Sequence, residues 1–126
     1  VTADAVLAGV PIGLLAANIL VVNNYRDLET DAAANKRTLV VRFGRRAARL
    51  QFGGSLAVAL AIPLVFFARE NRAWVLLPLG LAPLAWRHAQ RLRQSSAPAE
   101  LIGLLGDTGK LLALYALLFG VGLASS

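Results

Sequence analysis

The chain has no cysteine, no methionine, one histidine and seven acidic residues among its 126. The missing cysteines exclude disulfides and thiolate-held metals. Charge is also scarce: Asp, Glu, Lys and Arg make up 16% of the sequence, where a soluble domain carries about 25%. What fills the space is apolar. Hydrophobic residues reach 57% and the mean hydropathy is +0.62.

Four runs hold no charge at all: Ala5–Val22, Phe52–Ala68, Ala73–Trp86 and Leu111–Ser126, of 18, 17, 14 and 16 residues. A membrane-spanning helix needs roughly 17–25 mostly apolar residues. The first two runs qualify as they stand, and flanking Arg and Lys side chains that reach back to the interface extend the others. The expected fold is therefore all-α, a multi-pass transmembrane helical bundle forming one membrane domain over 1–126. Its spans are expected at about 4–25, 46–68, 73–88 and 108–125. The third, with Pro78 and Pro83, has the weakest pattern. The first run lacks the basic leader and cleavage site of a signal peptide. Because the chain opens almost directly into a span, it reads as a piece of a longer protein.

The net charge of +6 does not point to nucleic acid, because its distribution follows membrane topology. Arg26, Lys36, Arg37, Arg42, Arg45, Arg46 and Arg49 lie between the first two runs. Arg69 and Arg72 lie between the second and third. Arg87, Arg91, Arg93 and Lys110 lie between the third and fourth. Alternate loops thus hold 11 and 2 basic residues, the positive-inside pattern. It assigns loops 23–51 and 87–110 to the cytoplasm and the 69–72 turn to the other side.

One stretch breaks the apolar character: NNYRDLETDAAANKR, Asn23–Arg37. If the first helix continues through it, Asn23, Asp27 and Asp31 fall at i, i+4 and i+8 on one face, with Asn24 at its edge. Like charges at i, i+4 repel by about 0.2–0.5 kcal/mol. Acids at a helix C-terminus add about 0.3–1 kcal/mol against the dipole. Both signs are wrong for a purely structural role, and a bound cation reverses them. Mg²⁺ takes one or two carboxylates and completes its shell with water and phosphate oxygens. Lys36 and Arg37 come closely enough behind to neutralise the same phosphates. A structural reading competes with this one. Thr30 or Asp31 would cap a helix starting at Ala32, Arg26 and Glu29 would form an exposed pair, and Lys36 and Arg37 would serve topology alone. Spacing leaves both readings open.

Over Asn23–Gly44 the residues carry more than spacing. The N-N-Y-R-D opening and the K-R-T-L-V-V-R-F-G close resemble the second aspartate-rich region of the UbiA-type membrane prenyltransferases, in particular the branch that prenylates 1,4-dihydroxy-2-naphthoate for menaquinone. LLGDTGKLLALYALLFGVGLA resembles the last helix of that branch. The resemblance implies nine membrane helices around a cavity open to the cytoplasm, in a bacterial inner membrane, with this chain as the last four. It implies transfer of a polyprenyl group from prenyl diphosphate to an aromatic acceptor. Asp27 and Asp31 would bind Mg²⁺, and Lys36 and Arg37 the diphosphate. Arg26 and Arg42 would be further contacts, and Asn23, Asn24 and Tyr25 would line the mouth, with Tyr25 near the acceptor. The partner helices carrying a first aspartate-rich motif are absent from this chain, which alone is expected to be inactive. Other acceptors or tails (4-hydroxybenzoate, a phytyl donor, haem) and a transporter fragment are the competing readings. Among the remaining polar residues, Asn18 is expected in a helix–helix hydrogen bond, His88 at the interface and Asp107 as a helix cap.

Overall fold

The computed structural model describes residues 2–71, 73–95 and 97–124. Within them the chain is helical, with no strand among the described residues. The order is α1 (Ala3–Arg26), α2 (Leu28–Ala33), α3 (Leu39–Glu70), a 3-10 segment (Ala73–Leu81), α4 (Ala82–Gln94) and α5 (Pro98–Ala124). Among the described residues three helices are long and apolar enough to cross a membrane: Ala3–Arg26, Leu39–Arg69 and Pro98–Ala124. At about 1.5 Å per residue each exceeds the ~30 Å hydrocarbon thickness.

The expected third span, 73–88, falls on the 3-10 segment and the first half of α4. Pro78 and Pro83 remove two donors from any i→i−4 ladder there, so the chain turns more tightly before α4 begins. The fourth helix starts earlier than expected, at Pro98 rather than near residue 108. Arg72 and Ser96, read as loop residues, and Ser125, at the end of the expected last span, lie outside the described residues.

Helix ends reflect local chemistry. Thr2 and Thr38 cap α1 and α3, their hydroxyls accepting from Ala5 N (3.1 Å) and Val41 N (3.2 Å). Gly44 breaks α3 internally with φ 85° and ψ 172°, a conformation open to glycine. TLVVRFG thus forms a short lead-in that Gly44 separates from the rest, and Arg45, Arg46 and Arg49 open the long part of the helix. Asn71 stops α3 in the left-handed region, at φ 52°.

Burial recurs in a three-four alternation: Pro11, Leu15, Asn18, Val22 and Tyr25 in α1; Ala48, Phe52, Ser55, Ala59, Ile62 and Phe66 in α3; Leu101, Leu104, Thr108, Leu111 and Tyr115 in α5. That is the seam spacing of helices packed knobs-into-holes. α1 packs on α3 and α5, and the 3-10 segment and α4 lie across α3 and α5.

Polar groups tie the seam. Asn18, fully buried, donates from Nδ2 to Phe52 O at 3.2 Å, the helix–helix bond expected of it. The Tyr115 hydroxyl donates to Ala59 O. Residue 63, which would supply the helical donor to that carbonyl, is a proline with no N–H. α5 therefore satisfies the group that Pro63 orphans, which is how membrane helices accommodate proline. Phe119 packs on both Phe66 (5.7 Å between centroids, 75°) and Tyr115 (5.6 Å, 54°).

The long helices alternate in direction. Asp4, near the start of α1, pairs with Arg69 at the end of α3 at 2.8 Å. The other end of the bundle gathers the Asn23–Arg37 stretch, the start of α3 and the Arg-rich end of α4.

Candidate functional site

The polar stretch forms a compact turn at the basic end. α1 yields at Asp27 (φ −94°, ψ 13°), yet the hydrogen-bond ladder continues across the break. Asp27 N donates to Asn23 O at 3.1 Å and Asp31 N to Asp27 O at 2.7 Å. The two carboxylates thus stay one turn apart along the chain, as the i, i+4, i+8 reading expects.

α2 ends in a helix stop of a defined kind. Asn35 sits at φ 60°. Lys36 N donates to Asp31 O at 2.8 Å and Asn35 N to Ala32 O at 3.1 Å. These are the paired bonds of a Schellman motif, with asparagine in the left-handed position that usually takes glycine. The motif folds the backbone of Lys36 back beside Asp31. The N-K pair in AAANKR is therefore a stop signal as well as a source of charge.

Arg26 organises the acidic side. Its Nε donates to Asp27 Oδ1 at 2.7 Å and its Nη2 to Asp27 Oδ2 at 2.9 Å, while Nη2 also donates to Asn23 Oδ1 at 2.6 Å. Asp27 makes no side-chain cap bond to α2, because both its oxygens face the guanidinium. The Arg26 hydrogen bonds hold the Asp27 carboxyl below the usual carboxylate range; partial burial opposes this, and the charges of Arg26 and Lys36 assist it. Thr30 lies inside α2, its hydroxyl donating to Asp27 O at 3.1 Å, and caps no helix starting at Ala32. Arg26 turns to Asp27 and Asn23 and not to Glu29.

The expected site residues separate into groups. Asn23, Arg26 and Asp27 meet directly, with Lys36 close enough to act on the Asp27 charge. Asn24 and Asp31 are half-buried, and Lys36, Arg37 and Arg42 are exposed. Tyr25 is 2% exposed. It packs within the bundle, with the Arg45 guanidinium 5.1 Å above its ring, a cation–π contact. No group of three or more His, Cys, Asp or Glu comes together among the described residues. Two carboxylates flanked by bases suit a single hard cation whose shell is completed by phosphate oxygens.

A second polar group, between α4 and α5, was not legible as a unit in the sequence. Arg91 Nη1 meets Asp107 Oδ2 at 2.6 Å, and Lys110 Nζ lies 3.9 Å from Asp107 Oδ1. Asp107 is the tenth residue of α5 and thus pairs across helices instead of capping one. His88 is 2% exposed. It falls on the buried α4 stripe with Ala85 and Leu92, a three-four spacing that the sequence does carry.

Residues 1–102 match the UbiA prenyltransferase family. A 1,4-dihydroxy-2-naphthoate octaprenyltransferase of Mycobacterium tuberculosis is 40% identical over 112 residues, 89% of this chain and 38% of the relative. Proteins of the same name from Haemophilus influenzae (36%) and Escherichia coli (34%) each align with 94% of this chain and 39% of their own length. The chain thus spans about two fifths of the curated relatives it matches. No solved structure matches it. The family match takes in α1, the Asp27–Asp31 turn, α3 and α4, and the chain belongs to the UbiA prenyltransferase family.

Proposed function

We propose that the protein containing this chain transfers a polyprenyl group from prenyl diphosphate to 1,4-dihydroxy-2-naphthoate. The observation that carries this reading is the run of relatives bearing that activity in their names across nearly the whole chain. The turn geometry supports it. Two acids one helical turn apart, with two bases after them, sit at the basic end of an apolar bundle.

In this reading Asp27 and Asp31 hold Mg²⁺, which supplies charge neutralisation to the diphosphate. Lys36 and Arg37 bind diphosphate oxygens, Arg37 with a planar fork. As the allylic C–O bond breaks, diphosphate departs with the electron pair, and these bases stabilise the growing negative charge. The electron-rich ring attacks the allylic carbon, and its carboxylate leaves as CO₂. Arg26 orients Asp27 through its two hydrogen bonds to the carboxylate, and its guanidinium would offer a further contact for the diphosphate. Arg42, Asn23 and Asn24 line the approach, and Tyr25 positions Arg45 from beneath. The remaining ligands come from the rest of the protein, so this chain by itself is inactive. The basic end faces the cytoplasm of a bacterial inner membrane, where soluble acceptors arrive.

The test is a prenyl-transfer assay on the purified full-length protein with radiolabelled polyprenyl diphosphate, Mg²⁺ and each aromatic acceptor in turn. Consumption of dihydroxynaphthoate with loss of CO₂ is expected. Transfer only to another acceptor, such as 4-hydroxybenzoate, would overturn the choice of substrate.

A further inference from the structure

The bundle carries another basic feature that the prenyl-transfer reading leaves unused. Between α3 and α4 lies a cleft of about 490 Å³. From α3 it is lined by Arg46, Arg49, Leu50 and Gly53, and from α4 by Trp86, Gln90 and Arg93. Each set has a spacing that places its members along one helix face. The α3 set lies around the helix from the face packed on α1, where Ala48, Phe52 and Ala59 are buried.

Two properties identify the chemistry of an occupant. First, three arginines line the cleft and, among the described residues, no acid does. The neighbouring cleft between α4 and α5 is different, since Asp107 pairs there with Arg91 and lies 3.9 Å from Lys110. Second, the lining is graded by depth. α3 starts and α4 ends at the basic end of the bundle, so Arg46 and Arg93 sit at the mouth. Gly53 and Trp86 lie seven residues further in, about 10 Å along the helices. Leu50 and Trp86 are each 68% exposed. A small soluble anion would match the arginines and leave these apolar groups uncovered.

We propose that this cleft binds an anionic phospholipid. The phosphate lies between Arg46, Arg49 and Arg93, Gln90 offers a hydrogen bond, and an acyl chain runs over Leu50, Gly53 and Trp86. Basic pockets between membrane helices are suited to such headgroups, and tryptophan favours this depth. The site stands apart from the Asp27–Asp31 turn and uses none of its residues.

Native mass spectrometry of the delipidated full-length protein in detergent tests the proposal. It would be titrated with phosphatidylglycerol or with phosphatidylcholine of the same acyl chains. Phosphatidylglycerol is expected to bind more than about tenfold tighter. In Arg46→Gln/Arg93→Gln the preference should fall to about fivefold or less, the share left to Arg49, since each basic residue near an anionic headgroup is worth about fivefold. Arg69→Gln, at the opposite end, should leave it unchanged. Equal binding of the two lipids by the wild type overturns the proposal, as does an unaltered preference in the double variant. Displacement of phosphatidylglycerol by millimolar inorganic phosphate would also overturn it, by revealing a soluble-anion site. Should the double variant not fold, a photoactivatable phosphatidylglycerol on the wild type decides. Crosslinks confined to peptides spanning 46–53 and 86–93 support the assignment. Crosslinks elsewhere, or none because other parts of the protein cover the cleft, overturn it.

Discussion

Arg26 grips Asp27 with both arms of its guanidinium, Nε on Oδ1 at 2.7 Å and Nη2 on Oδ2 at 2.9 Å. The carboxylate proposed to bind a cation already faces one. On the proposed metal reading Arg26 and Mg²⁺ would compete for Asp27, and removing Arg26 should act in two directions. In the full-length enzyme, Arg26→Gln should lower the half-saturating Mg²⁺ concentration and raise the KM for prenyl diphosphate. Each change should be about two- to fivefold, the range of a partly exposed ion pair. Metal titrations of the initial rate, at saturating and at limiting diphosphate, separate the two. Parallel shifts in the same direction would contradict the competition.

Asp27→Asn and Asp31→Asn should each reduce Mg²⁺-dependent transfer by at least about 100-fold, the scale of lost electrostatic stabilisation at a reacting group. Both variants should still be extracted as folded protein with unchanged far-UV circular dichroism. Near-full activity in both would remove these residues from the metal site.

The pH dependence of stability has a definite sign. Arg26 depresses the Asp27 carboxyl in the folded chain relative to its ordinary value of 3.8. The pair therefore stabilises the fold above that value and loses its effect as pH falls through the depressed one. The melting-temperature difference between wild type and Asp27→Asn should be present at neutral pH and shrink below pH ~4. A difference that grows on acidification would show that the pair does not stabilise the fold.

Gly122 and Gly120 make a matched comparison. A Cβ at Gly122 would meet the Trp74 carbonyl group, with Val75 Cα at 2.9 Å, whereas one at Gly120 meets nothing within 4 Å. Backbone cannot yield as a flexible side chain does. Gly122→Ala should cost about 1–3 kcal/mol, and Gly120→Ala close to none, read as thermal melting of the full-length protein in detergent.

Tyr115→Phe should cost about 0.5–1.5 kcal/mol, because it leaves Ala59 O without its donor from α5. Restoring residue 63 to a helix donor, as Pro63→Ala in the same background, should recover part of that loss. No recovery would mean that the hydroxyl serves the fold in some other way.

Much of this was written locally in the chain. The charge-free runs, the uneven basic residues and the acids one turn apart are properties of neighbours in sequence. Hydropathy, loop charge and helical period act over the same few residues that display them. The helical fold, the interhelical bond of Asn18 and the Asp27–Asp31 spacing could therefore be read directly. The 3-10 segment was less legible, because the apolar run disguised what Pro78 and Pro83 do to the hydrogen-bond ladder.

Tertiary structure decided which faces meet. Tyr25 looked like a mouth residue, but the α1–α3 seam buries it under Arg45. Asp107 looked like a cap, but α5 begins earlier and brings it to Arg91, sixteen residues back in sequence. The carbonyl freed by Pro63 finds Tyr115 at a separation of 56 residues. Sequence alone established an apolar helical chain with an acid-and-base turn, since those features depend on local period and solvation. The partner of each buried polar group depended on how distant helices pack, because such a group must be paired and no local pattern specifies by what.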